Sequence, residues 1–85
     1  MPKSVFTPAY KHLLSTLVAA RKGQDVSQAE LAQRLGKPQQ WVSSVETGIR
    51  RIDLIEFYAV AHALGLEPSA LAETVFSGLP RDVTV

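Results

Sequence analysis

Residues 26–48 read VSQAELAQRLGKPQQWVSSVETG, and this stretch decides the fold. Ser27 stands where a hydroxyl caps a helix, and Glu30, three residues on, has the spacing that closes a capping box. Leu31, Ala32 and Leu35 then recur on one helical face. Gly36 ends the run, because glycine takes the left-handed conformation after a helix that other residues resist. Pro38 favours an extended residue before it and a helix start after it, so the turn is short and stiff. From Gln39 a second helical pattern reaches Thr47 with Val42 and Val45 turned inward, and Gly48 closes it as Gly36 closes the first. Each helix is roughly eight residues, below the length of about 12 to 15 at which an isolated helix is even marginal in water. Other helices must cover them.

The flanking sequence supplies those helices. After Pro8, Tyr10, Leu13, Leu14, Leu17 and Val18 fall at helical spacing, and this first helix ends near Lys22-Gly23. Asp53 with Glu56 forms a second capping box, followed by Phe57, Val60, Ala61 and Leu64 on one face and then Gly65. Pro68 suits the first turn of a last helix whose apolar side is Leu71, Val75 and Phe76. Beyond Gly78 the tail, Leu79 to Val85, loses helical order and reads either as a frayed end or as a short arm that packs on a partner. The expectation is an all-α protein, five helices in a single domain over residues 1–85 with a short non-helical C-terminal tail. At 85 residues and 46% hydrophobic composition the chain suffices for one core, and it contains no repeat, linker or low-complexity stretch.

Composition narrows the function. With no cysteine, disulfides and thiolate metal sites are excluded, which fits a reducing cytoplasm. The longest apolar run, Leu17 to Ala20, is far too short to span a membrane, and the N-terminus lacks the charged-then-apolar order of a signal peptide, so a soluble cytoplasmic protein is expected. No phosphate loop or paired-carboxylate motif is present, and five short helices leave little room for a substrate pocket; catalysis is not expected. His12 and His62, about fifty residues apart and without companion ligands, read as helix-surface histidines, with no metal or cofactor implied.

Net charge is +1, but the charges are segregated. Residues 1–51 hold eight basic side chains against Asp25, Glu30 and Glu46, a balance of about +5, whereas residues 52–85 hold only Arg81 against five acids, about −4. A basic half that contains the two-helix block, and an acidic half that faces away, is what binding a polyanion on one side predicts.

Two short helices hinged by a stiff turn have the layout of a helix-turn-helix, whose second helix carries its first residues into the major groove of DNA. From Arg21 to Leu71, about sixty per cent of the chain, the sequence resembles the Cro and C1 repressor type of helix-turn-helix, the Xre family. Arg21, SQAELAQRLG (27–36), QQWVSSVETG (39–48) and ALGLEPSAL (63–71) carry the resemblance. It implies a Cro/C1 repressor-like five-helix fold with helices 2 and 3 as the motif over residues 27–48. It further implies a sequence-specific binder of double-stranded DNA, usually a homodimer on an operator with an inverted repeat, acting as a repressor, phage switch, restriction-modification controller or antitoxin.

Site residues follow from chemistry and resemblance together. Gln39 and Gln40 open the recognition helix and project toward base edges, where a glutamine amide pairs bidentately with adenine N6 and N7. Ser43 and Ser44 stand one turn on as further base contacts, although a short hydroxyl reaches less far than the longer polar residue often found there in the family. Gln28, at the start of the supporting helix, meets a phosphate where free N–H groups and the positive helix end converge, and the family often uses this glutamine to fix the recognition helix in place. Lys37 in the turn and Arg50 and Arg51 after the recognition helix are phosphate contacts, with Arg34 a candidate to join them. Trp41 either lies against the sugar-phosphate backbone or a thymine methyl, or fills the edge of the core. Arg21 and Glu46 are implied by the resemblance to form a largely buried ion pair and are kept out of the base contacts. Residues 68–85, with Leu71, Val75, Phe76, Leu79 and Val83, are the expected dimerisation segment. The expected function is a homodimeric repressor; the alternative is an antitoxin or other interaction module that uses the fold to mask a protein partner.

Overall fold

Five helices form where the caps and turn residues place them. A computed structural model describes residues 7–83 and 85: α1 (Pro8–Gly23), α2 (Gln28–Leu35), α3 (Gln39–Glu46), α4 (Leu54–Ala63) and α5 (Pro68–Ser77), with no strand among the described residues. The remainder of the expected single domain, including Lys3 of the charge count, lies outside the described residues.

Local chemistry sets the ends. The Thr7 hydroxyl accepts the Tyr10 N–H at 3.1 Å, and Pro8 occupies the first turn of α1, where its missing N–H costs nothing. Ser27 accepts the Glu30 N–H at 3.0 Å as expected, but the box stays open. Glu30 turns instead to Arg34, 2.7 Å away and one turn on along the same helix, where both partners carry a full charge. Arg34 then donates to the Ala63 carbonyl at 2.8 Å and ties α2 to the end of α4. The second box is complete: Asp53 accepts the Glu56 N–H at 2.7 Å and Glu56 accepts the Asp53 N–H at 2.9 Å. At the hinge Gly36 has φ +70°, and the Lys37 N–H returns to the Ala32 carbonyl at 2.9 Å, so α2 terminates within one residue.

Packing supplies what two eight-residue helices lack. Leu31 and Ala32 of α2 and Val42 and Val45 of α3 are buried together with Leu17, Val26, Phe57, Val60, Ala61 and Leu64. α3 is backed by α1 and α2, α2 by α4, and α5 closes the far side against α1 and α4. None of the helices among the described residues is long and apolar enough to cross a membrane.

Two expectations about α5 change. Leu71 and Val75 face inward and complete the core, so they are not available to a partner; α5 buries only two apolar residues per three turns, and these are the two aimed at α1 and α4. Phe76, expected on the same apolar side, is 65% exposed, while Leu79 packs half-buried against the core and Val83 is exposed. His12 is also not simply a surface histidine. Its Nε2 donates to the Val75 carbonyl at 3.1 Å and pins the last turn of α5 to α1. His62 does lie on the surface, stacked on Tyr58 with centroids 6.3 Å apart.

A side chain at Gly78 would run into the His12 ring, although its backbone, φ −93°, suits any residue. Gly78→Ala is therefore expected to cost about 1 kcal/mol by displacing the His12 bond. In a His12→Ala background the same change should instead stabilise by roughly 0.4 to 1 kcal/mol through the unfolded chain. Urea denaturation of the four chains reads this reversal of sign.

Candidate nucleic-acid interface

α3 starts without a side-chain cap. Its N-cap is Pro38, whose carbonyl takes the Trp41 N–H at 2.9 Å but whose side chain has no oxygen to cap the helix, so the N–H groups of Gln39 and Gln40 at its positive end face outward without a side-chain cap. Gln39 and Gln40 stand side by side and exposed on this first turn. Among the described residues their amides make only long contacts, Gln39 to Gln28 Oε1 and Gln40 to Ser44 Oγ, both at 3.4 Å. An amide carries two N–H donors and an acceptor oxygen, so both side chains keep most of their capacity for an incoming base edge. Ser43 and Ser44 are half-buried one turn on, and Ser44 lies beneath Gln40 as the helical spacing requires.

The back of α3 is clamped. Arg21 of α1 donates to Glu46 through Nε at 2.7 Å and Nη2 at 3.0 Å, and its Nη1 donates to the Val26 carbonyl at 2.9 Å. Only 10% and 8% of the two side chains remain exposed. Gln28 adds a third donor to the same carboxylate at 2.8 Å, while its Oε1 is the acceptor for Gln39. Of the two roles read for Gln28, the one visible here is fixation of the recognition helix: its amide is turned to Glu46, because a buried carboxylate has lone pairs that must be filled. Helices 1, 2 and 3 thus meet on one side chain.

The basic residues divide between surface and structure. Lys37 is exposed in the turn, with Nζ 5.7 Å from the centre of the Trp41 ring, and the Arg50 guanidinium lies 5.2 Å from the same ring. Trp41 packs half-buried against the core, and its indole N–H is buried with no acceptor among the described residues. Arg50 also forms a two-point pair with Glu56, at 3.0 and 2.9 Å, and donates to the Arg51 carbonyl. This bond lowers the Glu56 carboxyl below the usual range, with the Asp53 N–H adding to the effect, and raises the Arg50 guanidinium. Arg51 lies over the Tyr10 ring at 4.1 Å, and the Tyr10 hydroxyl accepts the Ile52 N–H at 3.0 Å, so the α3–α4 loop is braced against α1. The Arg50–Glu56 pair was not legible in the sequence, since no regular spacing links a loop residue to the first turn of the next helix. The acids Glu67, Glu73 and Asp82 stand at the start of α5, on it and in the tail beyond it, whereas Asp53 and Glu56 stand at the start of α4 beside Arg50, so the charge segregation along the chain is only partly carried into space. Among the described residues no group of three or more His, Cys, Asp or Glu is placed to hold a metal ion.

The arrangement has recognisable relatives. A family model described as helix-turn-helix matches residues 17–71. An XRE-family like protein from Pseudomonas syringae pv. tomato str. DC3000 is 40% identical, with 86% of this chain and 89% of that one covered and a TM-score of 0.80. The clp gene regulator ClgR from C. glutamicum shares the fold at 20% identity, covering 87% of this chain and 96% of its own, with a TM-score of 0.73. No match was found among curated proteins.

Removing one partner of the buried pair, by Arg21→Ala or Glu46→Ala, should cost about 3 to 5 kcal/mol because the other charge is stranded, and denaturant titration measures it. For Glu56 the folded carboxyl titrates lower than the unfolded one, so its stabilisation is present above the ordinary carboxylate range and is lost as pH falls through the folded value. In Arg50→Ala, NMR titration should find the Glu56 carboxyl moved upward, with a shallower loss of stability in acid.

Proposed function

We propose that this chain, which belongs to the Xre-type helix-turn-helix family, is a homodimeric transcriptional repressor that reads an inverted repeat through the major groove. The observation that carries the reading is the pair of exposed amides, Gln39 and Gln40, on the uncapped first turn of a helix held rigidly from behind by Arg21, Gln28 and Glu46. A glutamine there can meet adenine N6 and N7, so each half-site is expected to contain an adenine. Ser43 and Ser44 supply shorter contacts on the same helix. Lys37, Arg50 and Arg51 flank the helix at its two ends and contact phosphates, which set affinity and register but not sequence.

Dimerisation follows from a physical limit. One recognition helix reads only a few base pairs, whereas two related by a two-fold axis read half-sites about one turn of DNA apart. Bound near a promoter, such a dimer excludes polymerase. The protein acts in the cytoplasm by binding and not by catalysis.

DNase footprinting of the full chain on the DNA upstream of its own gene should protect two half-sites; a uniform ladder with no protected segment would remove the reading. On the protected duplex, Gln40→Ala should lose roughly 1 to 3 kcal/mol while binding to random-sequence DNA stays nearly unchanged. Lys37→Ala should weaken both about equally and reduce the log-log salt slope by close to one. Trp41, the single tryptophan, should report the same titrations by a change in its fluorescence.

A further inference from the structure

Three arginines of the basic half are spent on carboxylates, and the cations that remain include two on α1 that the DNA reading does not use. Arg21, Arg34 and Arg50 each hold a glutamate, whereas Lys11 and Lys22, both exposed, make no ion pair among the described residues. α1 carries no acid anywhere along Pro8–Gly23. Asp25, the next acid in the chain, donates its backbone N–H to the Lys22 carbonyl at 2.9 Å without pairing with the ammonium. Lys11 and Lys22 stand eleven positions apart. That is close to three full turns, so both leave the same side of α1, about 17 Å apart along its axis.

That side of α1 borders the recognition helix. The two lysines mark the ends of an open groove of about 570 Å³, with α1 along one side and Glu46 and Thr47 of the α3 end along the other. Thr47 is exposed and stands seven positions after Gln40, two turns on along the outward face of α3. The groove therefore begins where the base-reading face ends. Glu46 adds little negative charge to it, because its carboxylate is 8% exposed and already holds Arg21 and Gln28. Between the lysines the α1 side is apolar, with Leu14, Val18 and Ala19. An apolar strip with an ammonium at each end suits a sugar-phosphate strand, whose sugars lie on the strip while the phosphates meet the charges. Continuity with the outward face of α3 favours nucleic acid over an acidic protein as the occupant.

We propose that Lys11 and Lys22 form a second phosphate-binding rim, along which one DNA strand runs as it leaves the recognition helix; the proposal rests on the DNA reading above. The first rim is Lys37 and Arg50, gathered at Trp41. Trp41 and Glu46 are five positions apart, about 140° around the helix, so the two rims lie on opposite flanks of α3. The duplex is then held by its backbone on both sides, with Gln39 and Gln40 between. A lysine ammonium is a point charge, so the rim adds affinity and register without reading sequence.

Fluorescence anisotropy of the full chain on the footprinted duplex tests this, with the double variant Lys11→Ala/Lys22→Ala and with Arg81→Ala as a control. Arg81 is an exposed cation in the tail, outside the groove. All three residues are exposed, so the variants should melt close to the wild type by circular dichroism. The double variant should lose about 1.8 from the log-log salt slope, so that the wild-type advantage shrinks about tenfold between roughly 50 and 200 mM salt. Arg81→Ala should keep the wild-type slope. Hydroxyl-radical footprinting should show the double variant losing protected sugars at one edge of each half-site, with the centre still protected. If the double variant keeps the wild-type slope and footprint, the rim does not touch DNA, and the proposal falls while the DNA reading stands. If Arg81→Ala lowers the slope as much as each lysine does, net charge and not contact is at work, and the proposal falls likewise. If the wild type itself protects no DNA, the DNA reading falls and the proposal falls with it.

Discussion

One carboxylate organises the working half of this protein. Glu46, near the end of the recognition helix, receives Arg21 from the first helix and Gln28 from the second, and Arg21 reaches past it to the Val26 carbonyl. The cluster is nearly closed to solvent. In such a place hydrophobic residues of similar volume would hold the helices equally well or better, so what the ion pair contributes is direction more than stability. Apolar contacts allow a short helix to roll or slide. A two-point guanidinium bond with a third donor fixes its rotation, and with it the direction in which Gln39 and Gln40 leave the surface.

That constraint explains how helices too short to stand alone present a rigid edge. α2 and α3 each bury two residues on the inner side, and their ends are tied: Gly36 turns the chain sharply between them, Arg34 links α2 to α4, and Glu46 links α3 to α1. The outer side of α3 is left almost free of internal bonds. Rigidity behind and unspent hydrogen bonding in front is the combination that discriminates base edges, because little ordering entropy remains to be lost on contact.

The cations show why net charge is a poor guide to individual roles. Of the arginines in the basic half, Arg21 is buried in an ion pair, Arg34 holds Glu30 and a carbonyl, and Arg50 holds Glu56 while lying near Trp41. Only part of the +5 of residues 1–51 is thus presented without a nearby carboxylate. Of the acids in residues 52–85, Asp53 and Glu56 stand at the start of α4 beside Arg50, and Glu67, Glu73 and Asp82 stand at the start of α5, on it and in the tail. The long-range field is a property of the sum, but each local contact depends on which partner the fold brings within reach.

The helices, their order and the hinge were legible from residues alone, since caps, glycines and a 3.6-residue period act over a few positions and need no knowledge of the rest. Pro8, Ser27, Gly36, Pro38, Asp53 and Pro68 each mark a boundary where the structure has one. The outward placement of Gln39 and Gln40 was legible too, because Val42 and Val45 define the inner side of the same short helix. What local pattern did not contain was the choice among competing partners. Glu30 has the spacing to close its own capping box yet turns to Arg34; Arg50 spends its guanidinium on Glu56; His12 finds the Val75 carbonyl 63 positions away. Leu71 and Val75 had the same apolar character as Phe76, and only the placement of α5 against α1 and α4 turned two inward and left one outside. Periodicity tells which side chains share a face of one helix. Which neighbour that face meets, and which charge lies across the gap, is settled by long-range packing, where contacts between residues far apart in the chain compete on distance and desolvation instead of on sequence spacing.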